Sequence, residues 1–156
     1  MLSKERYSQL FQKLGVSDPE RWATAEIEEK LGNLAKVVFL RQVWKEIPGS
    51  TDSDWLETWI EHSRQLPAAE HVVEAYERIV AAGANASDLM LLTRSIMGEF
   101  LFRVCYLLDD PSLEDPELQE NVSWGLYEET NFGRRRMGCI HELVWSVDPE
   151  GNQVEK

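Results

Sequence analysis

The sequence predicts a mainly α protein: a single-domain helical bundle over residues 1–156, with a central apolar helix at about 88–108 and a small C-terminal β-hairpin at about 139–155. Three observations carry that expectation. Apolar residues recur at spacings of three and four through the first hundred positions, the period of one helix face. Prolines and glycines cut this pattern into pieces of helical length. After Gly138 the residues turn β-branched and aromatic in approximate alternation, the period of a strand. A chain of 156 residues that is 43% hydrophobic is large enough to close one core without metal or disulfide. Residues 131–156 read as a loop and hairpin appendage to that core.

The first helix starts near Ser3 and ends at Gly15, since glycine tolerates the left-handed conformation that closes helices. Ser17 stands three residues before Glu20, as in a capping box, and Pro19 suits the first turn of a second helix. A break near Gly32 and Asn33 leads into a stripe of Leu34, Val37, Val38, Leu40, Val43, Trp44 and Ile47, stopped by Pro48 and Gly49. Thr51, Asp52 and Ser53 offer capping oxygens to the next helix, whose broad apolar face holds Trp55, Leu56, Trp59 and Ile60. Pro67 interrupts it. Residues 68–82 form a further helix with Val72, Val73, Tyr76, Ile79 and Val80 inward, closed by Gly83. Ser87 and Asp88 open the longest apolar run, Leu89 to Leu108, which is apolar on nearly every side and so is expected at the centre. A helix from Asp115 and Pro116 to about Glu129 would place Leu118, Val122 and Leu126 on the core. Asp148-Pro149-Glu150-Gly151 then turns the terminal hairpin. No repeat appears.

Charge is distributed unevenly. Of a net −12, eight negative charges fall between Asp109 and Thr130, a stretch with no Lys or Arg, and Arg134, Arg135 and Arg136 follow directly. An acidic chain is a poor binder of phosphate backbones and of anionic lipid, so neither nucleic acid nor a membrane is expected as partner. The first fourteen residues carry charges where a signal peptide needs an apolar core, and Arg94, Glu99 and Arg103 interrupt the longest apolar window. With Cys105 and Cys139 at no metal-type spacing, a reducing cytoplasm is the expected location.

Few residues carry recognisable chemistry. His71 and Glu74, at i and i+3, could share a metal on one helix face, with Glu61, His62 and Glu70 nearby, but such sites draw ligand pairs from several helices. Neither a metal nor a cofactor is expected. Cys139 and His141 would point the same way on a strand, yet no oxyanion loop accompanies them, and a buried structural thiol is the favoured reading of Cys139. Gly133 and Gly138 form no phosphate-cradling motif. Asp109-Asp110 and Glu114-Asp115 each precede a proline, where Asp starts turns and caps helices. Arg94 falls on the expected central helix, where a buried charge requires a partner or a ligand.

The arginine triplet has three readings: it folds back on the acidic segment, recognises an acidic ligand or partner, or contacts nucleic acid. The first is favoured by adjacency and opposite sign, and the overall negative field opposes the last. Six tryptophans are many for this length; Trp22 and Trp124 stand among polar neighbours, and an exposed tryptophan anchors interfaces well.

The stretch Gly138-Cys139-Ile140-His141-Glu142, the turn at Asp148 to Gly151 and the earlier Leu107-Leu108-Asp109-Asp110-Pro111 resemble the tail of a family of small uncharacterised bacterial all-α proteins. That resemblance implies a bacterial cytoplasmic origin and no particular activity.

The sequence therefore points to a non-enzymatic acidic protein-binding module, such as an inhibitor or immunity-type protein for a basic partner. Its contacts would be Glu117, Glu120, Glu128, Glu129, Arg134, Arg135, Arg136 and Trp124. One alternative is a small-ligand or metal-dependent enzyme, with a pocket between the central helix and the hairpin that uses Arg94, His141 and Glu142. The other is a structural homodimer joined through tryptophan-rich faces.

Overall fold

The computed structural model describes residues 2–110, 115–131 and 133–151, with the side chain of Ser53 excepted. Seven α-helices and one two-stranded antiparallel sheet lie among them, so the fold is mainly α. The helices are α1 (Lys4–Lys13), α2 (Pro19–Glu28), α3 (Asn33–Lys45), α4 (Ser53–Ser63), α5 (Glu70–Ala81), α6 (Ala86–Asp109) and α7 (Pro116–Asn121). The strands are β1 (Tyr127–Thr130) and β2 (Gly133–Arg136). Short 3-10 turns occupy Pro67–Ala69 and His141–Leu143.

Local chemistry accounts for most helix ends. Ser3, Asp18, Asp52 and Asp115 each accept a backbone N–H of the first turn, satisfying donors that a helix start leaves without an internal partner. Asp18 rather than Ser17 caps α2, and it does so from a left-handed backbone, φ 53°. At α6 the cap is Asn85, whose side chain accepts from Ser87 N at 2.8 Å, so the helix begins one residue earlier than Ser87 suggests. Gly15, at φ 69°, ends the turn after α1, the left-handed position expected of it.

The chain divides into two compact units, Met1–Lys45 with Phe100–Lys156, and Glu46–Glu99; the division falls inside α6. The first unit buries Phe11, Ala23, Val37, Leu40, Trp44, Leu101, Cys105, Ile140, Val144 and Val147. Trp44 donates its indole N–H to the Val144 carbonyl at 3.0 Å across a hundred residues of sequence, with the Trp145 ring 6.0 Å away. In the second unit Leu56, Ile60 and Met90 form the core, with Trp55, Tyr76 and Leu89 packed on it. Arg64 joins α4 to α5 by an ion pair with Glu77 at 2.7 Å.

Three expectations need correction. The hairpin stands at Tyr127–Arg136, not at about 139–155. Residues 140, 144 and 147 follow a helical spacing and bury completely in the 3-10 turn and its continuation, while Cys139, at φ 56°, cannot lie in a strand. Residues 152–156, the expected second strand, lie outside the described residues, as do Pro111 and Glu114. The helix expected to reach Glu129 ends at Asn121: Val122 is extended, and pairing of β1 with β2 claims the residues beyond Leu126. Leu118 and Val122 are exposed rather than tied to the core.

Nor is α6 enclosed on all sides. Met90, Arg94, Leu101 and Cys105 face inward, but Leu91, Leu92, Ile96, Phe100, Tyr106 and Leu107 are exposed. Its apolar residues belong to two faces, which the sequence alone merges into one. Ile79 and Val80 on α5 also point outward, and Trp59 is 42% exposed, stacked on Trp55 with ring planes 4° apart.

Trp44→Phe should lower the unfolding free energy by about 1–3 kcal/mol, because it leaves the buried Val144 carbonyl without its donor. Trp59→Phe should change it by less than about 0.5 kcal/mol, as an exposed ring shortened in place. Urea titration of both variants measures the contrast.

Candidate functional site

The arginine triplet turns back on the chain. In the antiparallel register Glu128 faces Arg135 and Glu129 faces Arg134, so cross-strand partners carry opposite charge. Arg134 reaches Glu129 at 3.1 Å, both side chains being mostly in water. Arg136 donates Nη2 to the carbonyls of Asp109 (2.8 Å) and Trp124 (3.4 Å). Arg135 is the most engaged: its Nε binds Glu128, its Nη2 binds Glu26 at 3.0 Å, and its Nη1 binds the Lys30 carbonyl at 2.9 Å. Burial works against the Arg135 charge, but hydrogen bonds to Glu128 and Glu26 outweigh it and raise the guanidinium pKa. Glu26, 3% exposed, also accepts the Leu34 N–H at 3.1 Å.

Beside this cluster lies a cleft of about 780 Å³ between α2, α3 and residues 136–146. Its lining includes two buried polar residues, Asn33 and Lys36, which form its floor. Burial pushes the Lys36 ammonium below the usual lysine value, while Cys139, Asp109, Glu26 and Glu142 act in the opposite sense. Cys139 and Glu142, both exposed, line the same cleft, as do Arg21, Glu29 and Arg136.

Asp109 and His141 belong to the same unit as this cleft. Asp109 Oδ2 accepts both the His141 backbone N–H, at 3.0 Å, and a contact from His141 Nδ1 at 2.6 Å. The imidazole is packed edge-on to Phe102 and Tyr106. Asp109 thus acts as an anchor for residues 139–147; the turn expected from its Asp-Asp-Pro context falls on residues outside those described.

The residues singled out from sequence scatter across these features. Glu128, Glu129, Arg134 and Arg135 meet one another. Glu117 and Glu120, on α7, enter no ion pair among the described residues. Trp124 is 38% exposed and donates its indole N–H to the Leu107 carbonyl at 2.6 Å. His141 is held by Asp109, and Glu142 lines the cleft. Arg94 lies in the unit Glu46–Glu99, buried, with Nη1 on the Pro48 carbonyl at 2.9 Å, so the burial expected of it holds. Cys139 is exposed, not the buried thiol expected; Cys105 is the buried one, and burial, with Asp109 adding, pushes its thiol up to about 11. No group of three or more His, Cys, Asp or Glu suited to a metal occurs among the described residues, which leaves His71 and Glu74 as a lone pair on α5. No helix there is long and apolar enough to cross a membrane.

Sequence reasoning missed Lys36 and Glu26. The signal for Lys36 was present, because it falls in phase with Asn33, Val37, Leu40 and Trp44, the residues α3 buries. A lysine on the buried stripe of a helix is unusual enough to mark. Compared with known proteins, the chain matches no family model, no curated protein and no solved structure, so the likeness of its tail rests on those residues alone.

Arg135→Met should destabilise the protein by about 2 kcal/mol, less than for a fully buried pair because Arg135 is partly solvated, yet substantial because Glu26 is left buried without its cation. Glu26→Gln in the same chain should recover part of that loss, and Arg134→Ala should cost under about 0.5 kcal/mol. Equilibrium unfolding of the three variants separates the two arginines. A thiol reagent at neutral pH should modify one cysteine, Cys139, in the native protein, and reach Cys105 only after denaturant is added.

Proposed function

We propose that the chain is a non-enzymatic protein-binding module and that its docking surface is the outward face of α6. One observation carries this reading: in the part of α6 that belongs to the unit Glu46–Glu99, three large apolar side chains, Leu91, Leu92 and Ile96, are each 52–60% exposed. Exposed apolar residues scattered singly need no explanation, but three within six residues of one helix mark a surface suited to cover by another polypeptide.

The net charge of −12 selects the partner's sign. A basic protein would be drawn to this chain from a distance and then held by apolar contact, whereas self-association would bring two acidic copies together. Glu117 and Glu120 add to the attraction. Because Glu128 and Glu129 are spent largely on Arg135 and Arg134, the acidic stretch steers more than it docks. An inhibitor or immunity-type role fits this combination, and the cytoplasm, bacterial by the likeness of the tail, suits two cysteines that form no disulfide. The small-ligand alternative keeps Glu142 in a cleft but has Arg94 committed to the Pro48 carbonyl.

A synthetic amphipathic helix of leucine and lysine is a suitable probe. The wild-type protein should bind it with an affinity that falls as salt rises. Ile96→Ser combined with Leu92→Ser should weaken binding at least roughly tenfold with little change in stability, since both side chains lie outside the core. Equal binding by that variant would remove the α6 reading. Sedimentation at several concentrations examines the homodimer: a dimer that the same two serines dissolve would assign α6 to self-association instead.

A further inference from the structure

The ammonium of Lys36 is short of partners. Lysine carries three N–H donors, and among the described residues its hydrogen bonding is limited to Asn33 Oδ1, at a long 3.3 Å. The residue is 3% exposed, and among the described residues no carboxylate comes within ion-pair distance of it. Two acidic groups that act on its charge are engaged elsewhere: Glu26 by Arg135 and the Leu34 N–H, and Asp109 by His141. A buried cation left in that state is costly unless something completes its shell.

What lies over Lys36 is not protein but the cleft. Its volume, about 780 Å³, falls in the range of sites for small molecules. Arg136 also lines it and, among the described residues, bonds backbone carbonyls through Nη2 alone, which leaves the other arm of its fork for a second contact. Arg21 stands on the same lining, from the first turn of α2. Glu29 and Glu142 line it too, but both are exposed and therefore screened by water, whereas Lys36 is not. Lys36 is the buried charge of the lining, whereas Arg21, Arg136, Glu29 and Glu142 are exposed.

We propose that this cleft binds a small oxyanion, the carboxylate or phosphate group of a small molecule, with the Lys36 ammonium as its buried ligand and Arg136 as the second. The shared chemistry is a compact group with several acceptor oxygens, which fills the open donors of Lys36 and takes the planar fork of Arg136. The proposal does not depend on the reading of α6.

Cys139 reports on the site without any added label. It lines the cleft, it is the exposed thiol of the two, and its charge interacts with that of Lys36. The experiment compares its alkylation by iodoacetate, an anion, with that by neutral iodoacetamide, each normalised to a small free thiol in the same buffer. An oxyanion site makes iodoacetate roughly fivefold the faster after normalisation, against the sense of a net −12 chain. Lys36→Met should abolish that preference, and Arg136→Gln should reduce it. On the unaltered protein, inorganic phosphate should slow both reagents saturably at constant ionic strength, and acetate tests the carboxylate source in the same way. A normalised preference at or below unity in the wild type overturns the proposal. So does the absence of protection by both phosphate and acetate, a result that requires no variant to fold.

Discussion

A carboxylate as buried as that of Glu26 can be kept in a folded protein only if donors surround it. The donors it finds, the Leu34 N–H and the Arg135 guanidinium, come from the start of α3 and from β2. Fixing Leu34 fixes where α3 begins and hence its rotational phase, which sends Asn33, Lys36, Val37, Leu40 and Trp44 inward together. Fixing Arg135 aligns β2, because the same guanidinium holds Glu128 across the ribbon and the Lys30 carbonyl. The link between α2 and α3 must then pass close to that side chain. Gly32 makes the passage possible: it adopts φ 69°, and a Cβ there would lie 3.3 Å from Arg135 Nε.

The same constraint brings Lys36 inward as a consequence of helix phase. α3 has little freedom to rotate a single residue out of its buried stripe, so a lysine in that phase is buried with its charge. Trp44, two turns on, is carried inward by the same phase and receives the C-terminal segment through Val144. Asp109 secures that segment from the other end by holding His141. Thus two buried carboxylates, each bonded to a backbone N–H and a cationic or imidazole side chain, place the elements that wall the cleft.

Much of this was legible in the sequence, and the failures have identifiable causes. Helix positions followed from punctuation by Gly15, Pro19, Gly32, Pro48, Pro67 and Gly83, since those residues act through local backbone geometry that needs no tertiary information. The return of the arginine triplet onto Glu128 and Glu129 was readable from adjacency and opposite sign. The hairpin was misplaced because Ile140, Val144 and Val147 are β-branched or aliphatic whether they alternate or spiral, and only their spacing of four and three separates the two. In α6, uniform apolarity could mean burial on all sides or one face kept for another polypeptide, and composition does not distinguish them. The cleft was least accessible, because it gathers Arg21, Lys36, Arg136 and Cys139 from points more than a hundred residues apart.

A two-stranded ribbon has two open edges, each a row of N–H and C=O groups on which a foreign strand could build a ladder. Here β1 and β2 bring Glu128, Glu129, Arg134, Arg135 and Arg136 to those edges, and an incoming apolar strand would have to desolvate them. The large apolar surface lies instead on α6, whose backbone groups are consumed within the helix and offer nothing to a growing sheet. The chain thus displays Leu91, Leu92 and Ile96 on a backbone that cannot template fibril growth.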